Sequence, residues 1–291
     1  MPAVFQPQMI LFATDFLESS RLALDFAVAF AHHYQAKLLI VHVFHLTPFA
    51  VEAEVMGNVP SISRKGLNNR MEALAAAARS AGVEAEWRLI EGWMPDAMIT
   101  AAREINPGLL VLGTHGVYHG LGHMLIGSNA EKILNVSCCP TFTVGRHVPA
   151  GVSLDVTFDR IVYITDFSPE SAAACPYAVA LQKELAGRLD VFHLLPEQGD
   201  RSPKAQELQS QQYCEAVRRA IPDGEITWCE PGKQLEHAYN AEEILERMRW
   251  DTAGLIVLGI KSGSQFSRLL QTSLAYQLVA TAASPVLTIR A

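Results

Sequence analysis

Glycine residues and a following hydroxyl give one segment of the sequence a distinctive chemistry. The apolar run GLLVLG (108–113) is followed by glycines at positions 113, 116, 120, 122 and 127, and then by Ser128 and Asn129. Glycine lets the backbone approach another group closely. The free N–H groups that open a helix bind anions such as phosphate without a lysine. Residues 111–134 therefore predict a phosphate site, in which Ser128 and Asn129 add a hydroxyl and an amide as donors.

A carboxylate is expected at the other end of this site. Asp15 follows the apolar run 9–14. Its charge is wrong for phosphate, but it suits a ribose hydroxyl or a base amine, so we interpret the whole as a nucleotide site. Two simpler interpretations stay open: the glycines serve turns, and Asp15 caps the helix that follows.

Other motifs for this chemistry do not fit. The sequence has no G-x-x-x-x-G-K-[ST] motif, and no G-x-G-x-x-G follows the first strand. HGLGH (119–123) has one residue too many for an HxGH signature and follows the fourth strand. His115, His119 and His123 have the spacing of metal ligands on a helix, but the glycines between them favour a loop. We expect no metal site there.

The elements that must position these residues alternate along the first half of the chain. The pattern predicts strands over 9–14, 37–44, 83–91, 108–113 and 141–145, helices over 18–35, 63–81, 94–104 and 127–136, and a long loop over 45–62. Such alternation is typical of an α/β doubly wound domain with a five-stranded, mostly parallel sheet. Ligands bind beyond the carboxyl ends of its strands, where Asp15, Val43 and Gly113 fall.

The chain carries the same pattern twice. TDF at 14–16 recurs at 165–167, His42 corresponds to His193, GLLVLG corresponds to GLIVLG (254–259), and CPTFTV (139–144) corresponds to SPVLTI (284–289). Landmarks that recur in the same order indicate two copies of one domain. We predict domain 1 over residues 1–148 and domain 2 over 156–291.

Composition limits the classes of function. The 291 residues are 49 % apolar and 18 % charged, which favours folded domains, and the net charge of −7 argues against a nucleic-acid binder. The N-terminus has no signal-peptide pattern and no apolar run is long enough to span a membrane, so we expect a cytoplasmic protein. The five cysteines form no CxxC pair and are expected to be reduced.

The motifs together resemble those of the UspA family of universal stress proteins. The resemblance is carried by TDF after the first strand, HV after the second, and VLGTHG followed by IGSNAEKIL and CCP, and it spans both halves of the chain. It implies a five-stranded α/β fold and an adenine nucleotide as ligand: ATP, ADP or AMP, with Mg²⁺ as an optional companion. The implied binding residues are Ala13, Asp15, Val43, Gly113, His115, Gly116, Gly127, Ser128 and Asn129. One departure from the family pattern is that ten residues, not nine, separate Gly116 from Gly127.

The second copy departs further from the motif. Asp166 and Gly259 are kept, but Ser262 replaces the second glycine, and Thr272 replaces the glycine before Ser273. A β-branched residue tolerates a positive φ poorly and crowds the backbone that must face phosphate. We therefore predict that domain 1 binds the nucleotide and that domain 2 keeps the fold with a degenerate motif.

Three classes of function follow. The first is a nucleotide-binding regulatory protein of the stress response, which acts through an unidentified protein partner. The second is a slow ATP hydrolase or phosphotransferase, for which the sequence supplies no placed general base. The third is an interaction module that binds no nucleotide.

The architecture is the last expectation. In proteins that this one resembles, the last strands of two domains pair across a two-fold axis. We predict that 140–145 and 285–290 pair in this way, as an intramolecular pseudo-two-fold pair, with a homodimer of whole chains as a further option. The loop 45–62, with Phe49, Val55 and Met56, is predicted to be an exposed apolar surface that covers the nucleotide or contacts a second chain.

Overall fold

A computed structural model describes most of the chain. The described residues are 5–45, 64–114, 117–119, 123–125, 127–166, 168–194, 202–220, 236–238, 240–248, 254–260 and 271–290. Of the predicted loop 45–62, only residue 45 is described. Phe49, Val55 and Met56 lie outside the described residues, so the exposed apolar surface there stays a prediction.

The first half of the chain contains these strands and helices in order: β1 (Met9–Ala13), α1 (Glu18–Tyr34), β2 (Lys37–Phe44), α2 (Arg64–Ser80), β3 (Ala85–Glu91), α3 (Asp96–Ile105), β4 (Leu109–Gly113), β5 (Val117–His119), β6 (His123–Leu125), α4 (Ser128–Val136) and β7 (Thr141–Val144). The predicted strands and helices are all present, within a few residues of the expected ends. The hairpin of β5 and β6 corrects the prediction of a plain loop between β4 and α4.

The second half repeats the order. Its elements are β8 (Phe158–Thr165), α5 (Pro169–Leu185), β9 (Ala186–Leu194), α6 (Pro203–Ala220), β10 (Glu236–Ala238), α7 (Ala241–Met248), β11 (Gly254–Ile260), α8 (Gln271–Thr281) and β12 (Val286–Arg290). The α/β doubly wound class is confirmed in both halves.

One ten-stranded sheet runs through both copies. Its order is β10-β9-β8-β11-β12-β7-β4-β1-β2-β3, so each copy contributes five neighbouring strands. Pairing within each copy is parallel, as between β1 and β4, where Phe12 lies opposite Val111. The central strands are apolar because helices cover both of their faces. Parallel pairing places the ends of β1, β2 and β4 at the same edge.

The two copies join through their last strands. β7 and β12 pair antiparallel, with Phe142 opposite Leu287, Thr141 opposite Thr288, and Thr143 opposite Val286. The predicted pairing of these strands is therefore present. Neither strand is left as an apolar edge, because each one covers the other.

The helices also meet across the junction. Phe26 and Phe30 of α1 contact the ring of Phe142, and Phe26 stacks on Phe158 of the second copy. Tyr34 of α1 donates a hydrogen bond of 2.9 Å to Glu184 of α5. On the other face of the sheet, Leu134 of α4 packs into the core of the second copy.

The cysteines differ in part from expectation. Cys138, Cys139 and Cys175 are free thiols, but Cys214 is disulfide-bonded, so the prediction of reduced thiols is wrong for that residue. Cys139 is packed in the interior, where burial raises the pKa of its thiol to about 12. The described helices include none with the length and hydropathy that crossing a bilayer requires.

Candidate functional site

A cavity of about 430 Å³ opens at the carboxyl ends of β1, β2 and β4. Seven of the residues expected to bind the nucleotide line it: Ala13, Asp15, Val43, Gly113, Gly127, Ser128 and Asn129. The remaining two, His115 and Gly116, lie outside the described residues. Residues from positions 13 to 129 thus meet in one place, because parallel strands end together at this edge of the sheet.

The walls of the cavity are apolar and its mouth is polar. Val41, Met98, Leu112 and Ile133 form apolar walls, while Ser128 and Asn129 are exposed at the helix start. The lining among the described residues contains no lysine or arginine. An apolar volume of this size with a few polar groups suits a small organic ligand.

Asp15 holds the turn between β1 and α1. Its Oδ1 accepts a hydrogen bond of 2.9 Å from the N–H of Leu17. Leu17 is the N-cap of α1 and makes no side-chain cap bond, so Asp15 closes a turn ahead of the helix and is not the cap itself. The residue between them, Phe16, has a φ of 64°, which is strained for a bulky side chain. The carboxylate of Asp15 remains exposed at the cavity.

The second copy builds the same turn. The N–H of Ser168 donates to Oδ1 of Asp166 at 3.0 Å. The hydroxyl pair Thr14–Ser20 is matched by Thr165–Ser171. The threonine and the aspartate of the TDF motif therefore have a structural role in both copies that is independent of any ligand.

His42 forms part of the wall beside Asp15. Its Nδ1 lies 2.7 Å from the carbonyl oxygen of Thr14, and its ring contacts that of Phe16 at 4.5 Å. Burial lowers the pKa of His42, the hydrogen bond to Thr14 and the charge of Asp15 oppose this shift, and Arg70 adds to it. The neutral ring then carries its proton on Nδ1, because a carbonyl oxygen can only accept. His193, its counterpart, is completely buried.

Gly113 has a packing role that the sequence did not reveal. A Cβ at this position would lie 2.4 Å from the backbone N of Ser20 and 2.6 Å from the carbonyl oxygen of Ser19. At Gly259 the same atom would meet the backbone of Glu170 and Ser171 at less than 3 Å. The start of the helix after the first strand of each copy, α1 or α5, passes directly over the end of β4 or β11. Both copies therefore need glycine here whether or not a ligand is bound.

The backbone conformation of Gly127 corrects the expectation of a positive φ at this position. Gly127 is the N-cap of α4, with φ of −59° and ψ of 141°. Any residue adopts this conformation, so a positive φ is not the reason for glycine at this position. The first N–H groups of α4 have no partner within the helix, and the positive end of the helix dipole lies at the cavity.

Thr114 was missed by the sequence reasoning. It lines the cavity directly after Gly113 and only 2 % of it is exposed. Its hydroxyl has no hydrogen-bond partner among the described residues. A buried hydroxyl without a partner is costly, and this one lies in a cavity wall. The sequence signal that could have identified Thr114 is its position within a glycine-rich motif.

The three histidines near this motif are placed only in part, because His115 lies outside the described residues. His119 and His123 lie opposite each other in the pairing of β5 with β6, rather than along a helix. In the part of the chain that the structure describes, no group of three or more histidine, cysteine or acidic side chains could hold a metal ion. Of the replaced positions in the second copy, Ser262 lies outside the described residues, and Thr272 and Ser273 fall in the first turn of α8.

Comparison with known proteins agrees with the repeat. The model of the universal stress protein family matches residues 8–145 and 157–290. A universal stress protein of Bacillus subtilis (strain 168), YxiE, is 30 % identical over 148 residues, which cover 46 % of this chain and 97 % of that protein. Universal stress protein A homolog 1 of Coxiella burnetii (strain RSA 493 / Nine Mile phase I) is 31 % identical over 139 residues, covering 46 % of this chain and 94 % of its own.

Similar structures extend over both copies. A universal stress protein from Archaeoglobus fulgidus DSM 4304 covers 98 % of this chain and 99 % of its own length, with 20 % identity and a TM-score of 0.68. A second protein, from Pseudomonas aeruginosa UCBPP-PA14, covers 99 % of this chain and 95 % of its own length, with 16 % identity and a TM-score of 0.65. At these identities the likeness is one of fold.

Proposed function

The chain belongs to the universal stress protein family, as two tandem domains, and on that premise we propose that it is a regulatory protein that binds an adenine nucleotide, ATP or a close relative, in the first domain. The observation that carries the proposal is the cavity at the ends of β1, β2 and β4. Seven residues chosen from the sequence as a nucleotide site line it together.

The two ends of the cavity suit the two ends of a nucleotide. At α4, the N–H groups that follow Gly127 offer donors and a positive dipole to phosphate. The carboxylate of Asp15, held by Leu17, accepts a hydrogen bond from a ribose hydroxyl or a base amine. Between them, Val41, Met98 and Leu112 provide an apolar surface for the base.

The comparison of the two copies supports one site per chain. Asp166 and Gly259 persist in the second copy, and each has a structural reason there. Gly116 and Gly127 are replaced by Ser262 and Thr272. At Gly127 the backbone conformation does not demand glycine, so close approach by a ligand explains the residue better than the turn does.

Calorimetric titration of the whole chain with ATP tests the proposal. We expect about one site per chain, and mass spectrometry of the purified protein under native conditions to show an added nucleotide. Two equivalent sites, or no binding, would contradict it. Steady-state release of phosphate from ATP would instead show that the protein is a slow hydrolase. Absence of ATP binding would favour an interaction module that binds no nucleotide.

A further inference from the structure

A second cavity lies on the far side of the turn between β1 and α1. Its volume is about 260 Å³, and it is set between α1 and α2. Its apolar lining includes Phe12 and Leu24, both buried, together with Leu74 and Phe16. Thr14, Leu17 and Ser20 line both cavities, so the turn that carries Asp15 separates them.

The charge in this cavity is of one sign. Arg21 of α1 and Arg70 of α2 both line it, and among the described residues its lining contains no carboxylate. Asp25, one turn further along α1, is outside the lining; burial raises the pKa of its carboxyl and Arg21 opposes that shift. Neither arginine forms an ion pair within 4.0 Å among the described residues.

One of the two cations lies over an aromatic ring. The guanidinium carbon of Arg70 lies 3.8 Å from the centroid of the Phe16 ring. The ring of Phe16 also contacts His42, with 4.5 Å between centroids. A guanidinium group stacked on an aromatic face keeps its N–H donors at the edge for an anion.

We propose that this second cavity binds a small amphipathic anion. Its carboxylate, sulfonate or phosphate group contacts Arg21 and Arg70, and its apolar body packs on Phe12, Leu24 and Leu74. The volume is below the usual range for drug-sized ligands, which selects a molecule of about one ring or a short chain. The proposal concerns a different cavity from the nucleotide site and does not depend on nucleotide binding.

Phenylphosphate is the probe for the test, and phenol is its uncharged counterpart. Amide shifts of the whole ¹⁵N-labelled chain are followed during titration, with and without saturating ATP. We expect phenylphosphate to shift amides of α1 near Arg21 and of α2 near Arg70, in both conditions, and phenol to bind at least about tenfold more weakly, because a charge-assisted contact is lost.

Substitution tests whether Arg21 and Arg70 bind the anion. Arg21→Gln and Arg70→Gln should each weaken phenylphosphate binding about tenfold, whereas Arg103→Gln, at an exposed position on α3 outside this lining, should leave it unchanged. Arg70→Lys, which keeps the charge, should weaken it less than Arg70→Gln. Shifts confined to the amides of Gly127–Asn129, equal binding of phenol, or equal affinity in all four variants would overturn the proposal. Failure of ATP to bind would leave it intact.

Discussion

Thr143 and Thr288 make the same hydrogen bond from opposite sides of the junction between the two domains. The hydroxyl of Thr143 donates to the carbonyl oxygen of Val286 at 3.0 Å, and that of Thr288 donates to the carbonyl oxygen of Thr141 at 3.2 Å. In the repeat, Thr143 corresponds to Thr288 and Thr141 to Val286. The pair Phe142–Leu287 therefore lies on a pseudo-two-fold axis of the chain.

This symmetry predicts equal effects of two mutations. Thr143→Val and Thr288→Val each remove one buried hydroxyl and keep the shape of the side chain. We expect each to lower the free energy of unfolding by about 1 kcal/mol, measured by urea denaturation. Costs that differ by more than about 1 kcal/mol would show that the two halves of the junction are not energetically equivalent.

Replacing Gly127 with threonine, the residue of the second copy, should remove nucleotide binding without unfolding the protein. The φ of −59° is open to threonine, while the added side chain crowds the start of α4. In the parent chain, ATP at about 100 times its Kd should add roughly 2.7 kcal/mol to stability, or several degrees in Tm. The variant should keep the ligand-free Tm and lose this shift. Retention of the full shift by a folded variant would refute the assignment of phosphate to α4.

Asp15→Asn separates the structural role of this residue in the turn from its proposed role in nucleotide binding. An asparagine oxygen still accepts the hydrogen bond from Leu17, so the turn and the stability of the protein should be preserved. Loss of the charge-assisted contact should weaken ATP binding by about tenfold or more. Asp166→Asn makes the same change in the matching turn of the second domain and is the control, with ATP affinity expected to be unchanged. Equal losses of affinity in both variants would contradict a single site.

Removal of the Thr114 hydroxyl should keep or raise the stability of the ligand-free protein and weaken its binding of ATP. The hydroxyl is buried without a partner among the described residues, so Thr114→Val should leave the ligand-free stability equal or raise it by up to about 1 kcal/mol. If the hydroxyl contacts the nucleotide, calorimetry should show weaker ATP binding. Thr143→Val, which removes a bonded hydroxyl, is the contrast for stability. A clear destabilisation by Thr114→Val would mean that the hydroxyl is already satisfied.

His42 should make the protein less stable as the pH falls below neutral. Burial lowers the pKa of His42 from its usual 6.5, so the unfolded chain takes up a proton at a higher pH than the folded one. The stability that neutral His42 contributes is therefore fully present above about pH 6.5. It is lost as the pH falls towards the lower pKa of the folded state. His42→Asn, whose amide can donate to Thr14 without titrating, should reduce the loss of stability between pH 7 and pH 5. An identical pH dependence of the variant would exclude His42 as a source. Asp25, whose pKa burial raises from 3.8, acts at more acidic pH and with the opposite sign.

Much of the fold, and the grouping of seven candidate residues around one cavity, could be predicted from the sequence by itself. Apolar periodicity and turn residues act locally, so they determined the order of strands and helices, and the recurrence of TDF and GLIVLG determined that there are two domains. Parallel strands of one sheet end at one edge, so Asp15, Val43 and Gly113 were expected to be neighbours.

The reasons for particular residues were decided only by the tertiary structure. Gly113 is required by the backbone of Ser19 and Ser20, more than ninety positions earlier, and Gly127 is not required by its own φ. The stack of Arg70, Phe16 and His42, and the second cavity beside it, join three segments that no local pattern relates. Such features depend on distances between remote segments, and these distances exist only once the sheet and helices have packed.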